Sequence, residues 1–239
     1  MNNKTIVLGS GSSGPIDDTK YNKIYCSNSS FTRLLSPSKA VVVASDAFLY
    51  DENMLNNLPV IDGLSRDESN TLRLKKYSLF DSIEINKLLI IDGPIFIDKK
   101  SERLKNKHIN SKISFLSSKD KWRLFNLTFS LKDRFLIFYN IPGALNKIKF
   151  CIQYMLSLKM SLIYRPSIGI ICLMIALKDK KDSDSDLVFV NGITSQKNSE
   201  KTSIYDGHMS VKFGINAHYI DHIYYDIMSK LLSTETNST

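Results

Sequence analysis

Six short apolar runs, each cut off by small polar residues, do most to limit what this chain can fold into. They are Thr5–Leu8 before Gly9, Lys23–Cys26 before Ser27-Asn28, Ala40–Ala44 before Ser45-Asp46, Leu88–Ile91 before Asp92-Gly93-Pro94, Phe135–Phe138 before Tyr139-Asn140, and Leu187–Val190 before Asn191-Gly192-Ile193. Runs of this length with abrupt stops read as strands. They are apolar throughout rather than alternating, as expected of strands buried on both faces in a parallel sheet covered by helices. Ligands of such sheets bind in the crevice outside the carboxyl ends of the strands. The polar loops Ser10–Ser13, Ser27–Ser30 and Ser45-Asp46 are therefore expected to converge on one crevice.

Two segments read as helices. Leu145 to Tyr164 is apolar apart from Lys147, Lys149 and Lys159 and has two readings: a basic amphipathic helix at a membrane or acceptor, or a core helix whose lysines reach back to solvent. Ser167 to Leu177 reads as a buried helix with Pro166 in its first turn, followed by a polar connection over Lys178–Asp186. Ser101–Asp120 is the most linker-like stretch and reads equally as a surface excursion, and the Ser/Thr/Asn-rich end, Ser233–Thr239, is expected to be flexible. At 239 residues the chain suffices for one α/β domain with a large core or two small domains.

A net charge of +8 and a pI near 9.2 invite a nucleic-acid reading. The basic residues are nonetheless spread over Lys99–Arg123, Lys147–Lys159 and Lys178–Lys181, with no arginine-rich block or RNA-binding aromatic pattern. The charge suits an anionic substrate, a nucleotide phosphate or lipid headgroups. Cys26, Cys151 and Cys172 lack metal-ligand spacing and suggest a reduced, intracellular setting. The first apolar stretch is shorter than a secretion signal, and Pro166–Leu177 is short of the roughly 20 residues that span a bilayer.

Three patterns could carry chemistry. Gly9-Ser10-Gly11-Ser12-Ser13-Gly14 matches the G-x-G-x-x-G phosphate-binding pattern after a strand, but Pro15–Asn22 is too short for the crossover helix of a dinucleotide site, and no acidic residue follows the second strand. It reads either as an anion-binding loop or as a tight turn that needs glycine. Asp182, Asp184 and Asp186 form overlapping Asp-x-Asp patterns but precede their strand, at the edge away from the crevice. The third pattern, His218-Tyr219-Ile220-Asp221-His222, would put two imidazoles on one helix face, suited to accepting and releasing a proton. A structural pair is the alternative.

In order and spacing these patterns resemble the sialyltransferases, most closely the bacterial group of glycosyltransferase family 42. That family has a G-N-G-P-S loop after its first strand, C-N after its second, R-x-T-S-G opening a helix that passes through A-L to a strand ending S-G-I-D, and finally H-Y-I-G-H. The corresponding residues are Gly9-Ser10-Gly11-Ser12-Ser13, Cys26-Ser27-Asn28, Arg165-Pro166-Ser167-Ile168-Gly169, Ala176-Leu177, Asn191-Gly192-Ile193 and His218–His222. The resemblance covers roughly the first 50 residues and those from about 165 to 230. Ser10 stands where the family has asparagine, and Asn28 matches with a one-residue shift.

The resemblance implies a single Rossmann-like α/β domain over residues 1–232, with a mostly parallel central sheet flanked by helices. It also implies metal-independent, cofactor-free transfer of a nonulosonic acid such as sialic acid from a CMP-sugar to a glycan, for instance of lipopolysaccharide or capsule, with inversion. By the same resemblance, His222 would be the general base, with His218 and Tyr219 on the phosphate side. Gly9, Ser10, Gly11, Ser12, Asn28, Arg165, Ser167, Gly169 and Gly192 would contact the donor. The expected setting is cytoplasmic, with peripheral contact to the inner membrane left open. Two alternatives stand beside this reading: a non-catalytic relative that binds a nucleotide or glycan, and a membrane-surface protein built around Leu145–Tyr164.

Overall fold

A computed structural model describes residues 3–9, 14–45, 55–56, 60, 63–82, 85–91, 113–158, 166–181, 187–193 and 221–232. Its centre is a six-stranded sheet of β1 (Lys4–Leu8), β2 (Lys23–Ser27), β3 (Ala40–Ser45), β4 (Lys87–Ile91), β5 (Ile113–Leu116) and β6 (Leu187–Asn191), in the order β5-β4-β3-β2-β1-β6. Every neighbouring pair is parallel. The α/β fold and the Rossmann-like parallel sheet expected from the sequence are thus observed. The connection 14–22 holds a 3-10 turn, Asp18–Lys20, and no α-helix, as its length requires.

Alternation along the strands sends side chains into two cores. Ile6, Leu8, Ile24, Cys26, Val42, Ala44, Leu88 and Ile90 face one side, where Phe31, Leu34 and Leu55 cover them with Leu74 of α1 (Arg66–Ser82) at the margin. Val7, Tyr25 and Val43 face the other. That side carries α2 (Ser118–Thr128), α3 (Leu131–Asn140), α4 (Ala144–Met155), α5 (Ile168–Lys181) and α6 (Asp221–Ser229). Helix α5 is apolar around nearly its whole circumference, with Ile170–Met174, Ala176 and Leu177 buried, as befits a helix lying on the sheet and covered in turn by others. The Tyr25 hydroxyl donates to Asp179 and ties β2 to this helix.

An aromatic cluster fixes the outer helices. Phe125 lies 5.0 Å from Phe129, 5.7 Å from Trp122, 6.2 Å from Tyr154 and 6.2 Å from Tyr224, centroid to centroid. Tyr224 is fully buried, so the first turns of α6 are held against α2 by large apolar side chains, each contributing about 1.5–3 kcal/mol on burial.

Several expectations need correction. Phe135–Phe138 is not a strand but the middle of α3, which opens on a capping box between Ser130 and Asp133. A four-residue apolar run does not distinguish helix from strand by periodicity. The linker-like stretch contains β5 and the first turn of α2. The buried helix begins one residue after Ser167, placing Pro166 before the helix rather than in its first turn, and it runs on to Lys181. The Leu145–Tyr164 segment ends its helix at Met155 and turns Leu145, Ile148, Ile152 and Met155 outward rather than into the core. No helix among the described residues is long and apolar enough to cross a membrane. Residues 233–239 lie outside the described residues.

Candidate functional site

The sheet order reverses between β1 and β6: β1 to β5 follow one another to one side, and β6 returns to the other side of β1. In open parallel sheets such a switch point leaves a crevice at the carboxyl ends of the two strands. Here the ladder runs one residue past β1, with Gly9 N–H donating to Asn191 O at 2.7 Å. The backbones come so close that a Cβ on Gly9 would lie 2.1 Å from Gly192 O, while Gly192 itself turns at φ 77°, in the left-handed region that favours glycine. Close approach therefore requires glycine at position 9, and backbone conformation favours it at position 192.

Arg33 organises this edge. Its Nε donates to Gly14 O at 3.0 Å, one Nη to Gly9 O at 3.5 Å, and the other Nη to the Asn191 side chain at 3.0 Å. One guanidinium thus holds both ends of the glycine loop and the end of β6. Burial lowers its pKa from the ordinary arginine value. Arg33 closes the 3-10 turn Asn28–Arg33 after β2, which starts at Asn28 with φ 51°, a conformation asparagine tolerates. The buried Ser30 hydroxyl donates to Leu8 O at 2.9 Å, pinning this turn to the end of β1.

The other half of the site comes from α5 and α6. The Ser167 hydroxyl accepts the Ile170 N–H at 3.3 Å and caps α5, while the Ser167 N–H donates to the Asp221 carboxylate at 3.0 Å. Gly169, in the first turn of α5, lies close to Ile193, with a built Cβ 3.6 Å from that side chain. His222 is the second residue of α6 and half-buried, next in sequence to Asp221.

No family model, curated protein or solved structure matches the chain. The fold itself gathers Gly9, Gly192, Ser167 and Gly169 at the carboxyl edge of the sheet; Asn28 starts the turn at the end of β2, and His222 follows the residue bonded to Ser167. Ser10, Gly11, Ser12, Arg165, His218 and Tyr219 lie outside the described residues, as do Asp182, Asp184 and Asp186. Among the described residues no group of three or more His, Cys, Asp or Glu side chains is placed to hold a metal ion. Arg33 is the residue that sequence reasoning missed. Its one signal is that it is the single charge between Lys23 and Lys39.

Among the described residues this edge brings together the Arg33 guanidinium and the amino end of α5, both of which favour negative charge.

Proposed function

We propose that the protein is a glycosyltransferase that moves a nonulosonic acid such as sialic acid, or a related sugar, from a CMP-activated donor to a glycan with inversion. The observation that carries this reading is the Ser167–Asp221 bond, which joins the segment resembling the donor-contacting part of the sialyltransferases to the segment resembling their base-bearing part. Support comes also from the glycine loop at the switch point and from the +8 net charge, which attracts an anionic donor.

In that reaction the sugar gains oxocarbenium character as its bond to the CMP phosphate breaks, and negative charge builds on the leaving phosphate. His222 takes the proton of the acceptor hydroxyl. His218, Tyr219 and the amides of Ser10–Ser13 bond the departing phosphate. Arg165, Ser167 and Gly169 hold the donor; the Ser167 hydroxyl accepts one bond and keeps its own proton to donate. Arg33 acts as a positioning residue through the loop.

A second reading, binding of a nucleotide or glycan without turnover, is favoured by one point: Asp221 and Ser167 are both engaged in joining α5 to α6. Transfer from CMP-sialic acid in the presence of EDTA decides between them. Turnover is expected to persist in EDTA, and His222→Ala to slow it by about 10²–10⁴-fold while leaving CMP affinity nearly unchanged. Arg165→Ala and His218→Ala are expected to weaken donor binding. Transfer lost in EDTA and restored by manganese would contradict metal independence. A His222→Ala protein that melts many degrees lower and loses binding and rate together would favour the second reading.

A further inference from the structure

The outward faces of α3 and α4 carry large apolar side chains where polar ones are usual. On α3, Leu131, Phe135 and Tyr139 recur every fourth residue, exposed by 78%, 70% and 68%. On α4, Leu145, Ile148, Ile152 and Met155 form a stripe at helical spacing, while Phe150 and Gln153 are its buried side. Lys147 joins the helices, its Nζ 5.1 Å from the Tyr139 ring centre and 5.7 Å from that of Phe138. Contiguous exposed apolar surface of this kind marks an interaction site more often than chance.

The charge around it is one-sided. Lys132, Lys147 and Lys149 accompany the apolar residues, and from Leu131 to Met155 the single carboxylate is Asp133. That carboxylate is engaged at the start of α3, accepting the Ser130 N–H at 3.0 Å and its hydroxyl at 2.6 Å. A second copy placed across a twofold axis would set these lysines against their own equivalents.

We propose that the α3–α4 face rests on an anionic lipid bilayer, with its Phe, Leu, Ile and Met side chains in the headgroup–acyl boundary and its lysines on lipid phosphates. Such a surface supplies both complements at once, negative charge for the lysines and hydrocarbon for the stripe. Tyr139 against Lys147 is the aromatic and basic chemistry found at membrane interfaces. Helix α4, at 12 residues, lies in the interface and does not span it.

Flotation of the full chain with vesicles of phosphatidylcholine, alone or mixed with phosphatidylglycerol, tests this. Binding is expected to the mixed vesicles only and to weaken as salt is raised. An Ile148→Asp/Met155→Asp double variant is expected to bind about tenfold more weakly with an unchanged melting temperature, since both side chains face solvent. Should that variant misfold, Phe135→Trp serves instead: its fluorescence shifts to the blue with mixed vesicles, against the single buried native Trp122. Absence of vesicle binding, equal binding to both vesicle types, or full binding by the folded double variant would overturn the proposal. So would an unshifted tryptophan, or a solution dimer that the double variant dissociates.

Discussion

The Asp221 carboxylate accepts the backbone N–H of Ser167 at 3.0 Å across 54 residues of chain. It meets an N–H at the start of α5 that the helix cannot satisfy itself, and it fixes where α6 begins. The position of His222, one residue on, follows from that contact.

Asp221→Ala is therefore expected to cost about 1–3 kcal/mol in urea denaturation, as expected for a hydrogen bond to a charged acceptor. Asp221→Asn, which keeps a side-chain oxygen, should recover part of the loss. Two silent variants would show that the bond contributes nothing.

Two glycines of the loop separate close approach from backbone conformation. In Gly9→Ala the new methyl would sit 2.1 Å from Gly192 O, so β1 and β6 must part, at about 2–4 kcal/mol. Gly14 has open space around a Cβ but φ 100°, so Gly14→Ala should cost about 1–2 kcal/mol from backbone strain alone. The reverse order in thermal melts would mean that the β1–β6 edge yields more easily than its geometry indicates.

Burial pushes the Cys26 thiol up to about 12, and it raises Cys172 well above its ordinary value near 9. An unfolded thiol ionises near that ordinary value, so between about pH 9 and 12 the unfolded chain releases a proton that folded Cys26 retains. Stability is complete below this window and falls through it by about 1.4 kcal/mol per pH unit for each thiol. Denaturant midpoints at pH 8 and pH 10 check the fall. A Cys26→Ala/Cys172→Ala protein should show a shallower one, and an equal slope in both proteins would assign the effect to other groups.

Arg33→Lys should behave like Arg33→Ala. One ammonium cannot span Gly9 O, Gly14 O and Asn191, which the forked guanidinium reaches together. Both variants are expected to bind CMP about tenfold more weakly with a much smaller change in melting temperature. Affinity restored by lysine would reduce Arg33 to a source of charge.

The sheet was largely legible because β1–β4 and β6 are continuous apolar runs with abrupt stops. Strand β5 escaped because Ile113–Leu116 has serine in its middle and polar residues around it. Helix α1 escaped as well, because it has little apolar periodicity; its one signal is Ser65 with Glu68, which cap each other. The same signal, Ser130 with Asp133, marks α3 and outweighs the short apolar run that suggests a strand. At the site, glycines announce themselves but not their reasons, which lie in chain far away. Arg33 was illegible for the same cause: its partner Asn191 is 158 residues distant.

Calorimetric titration of the protein with CMP, UDP and NAD tests the central claim most directly. CMP is expected to bind most tightly, because the 14–22 connection lacks the helix a dinucleotide needs and the proposed donor is a CMP-sugar. Tighter binding of NAD or UDP, or no binding of CMP, would contradict the assignment of this edge to a CMP-sugar donor.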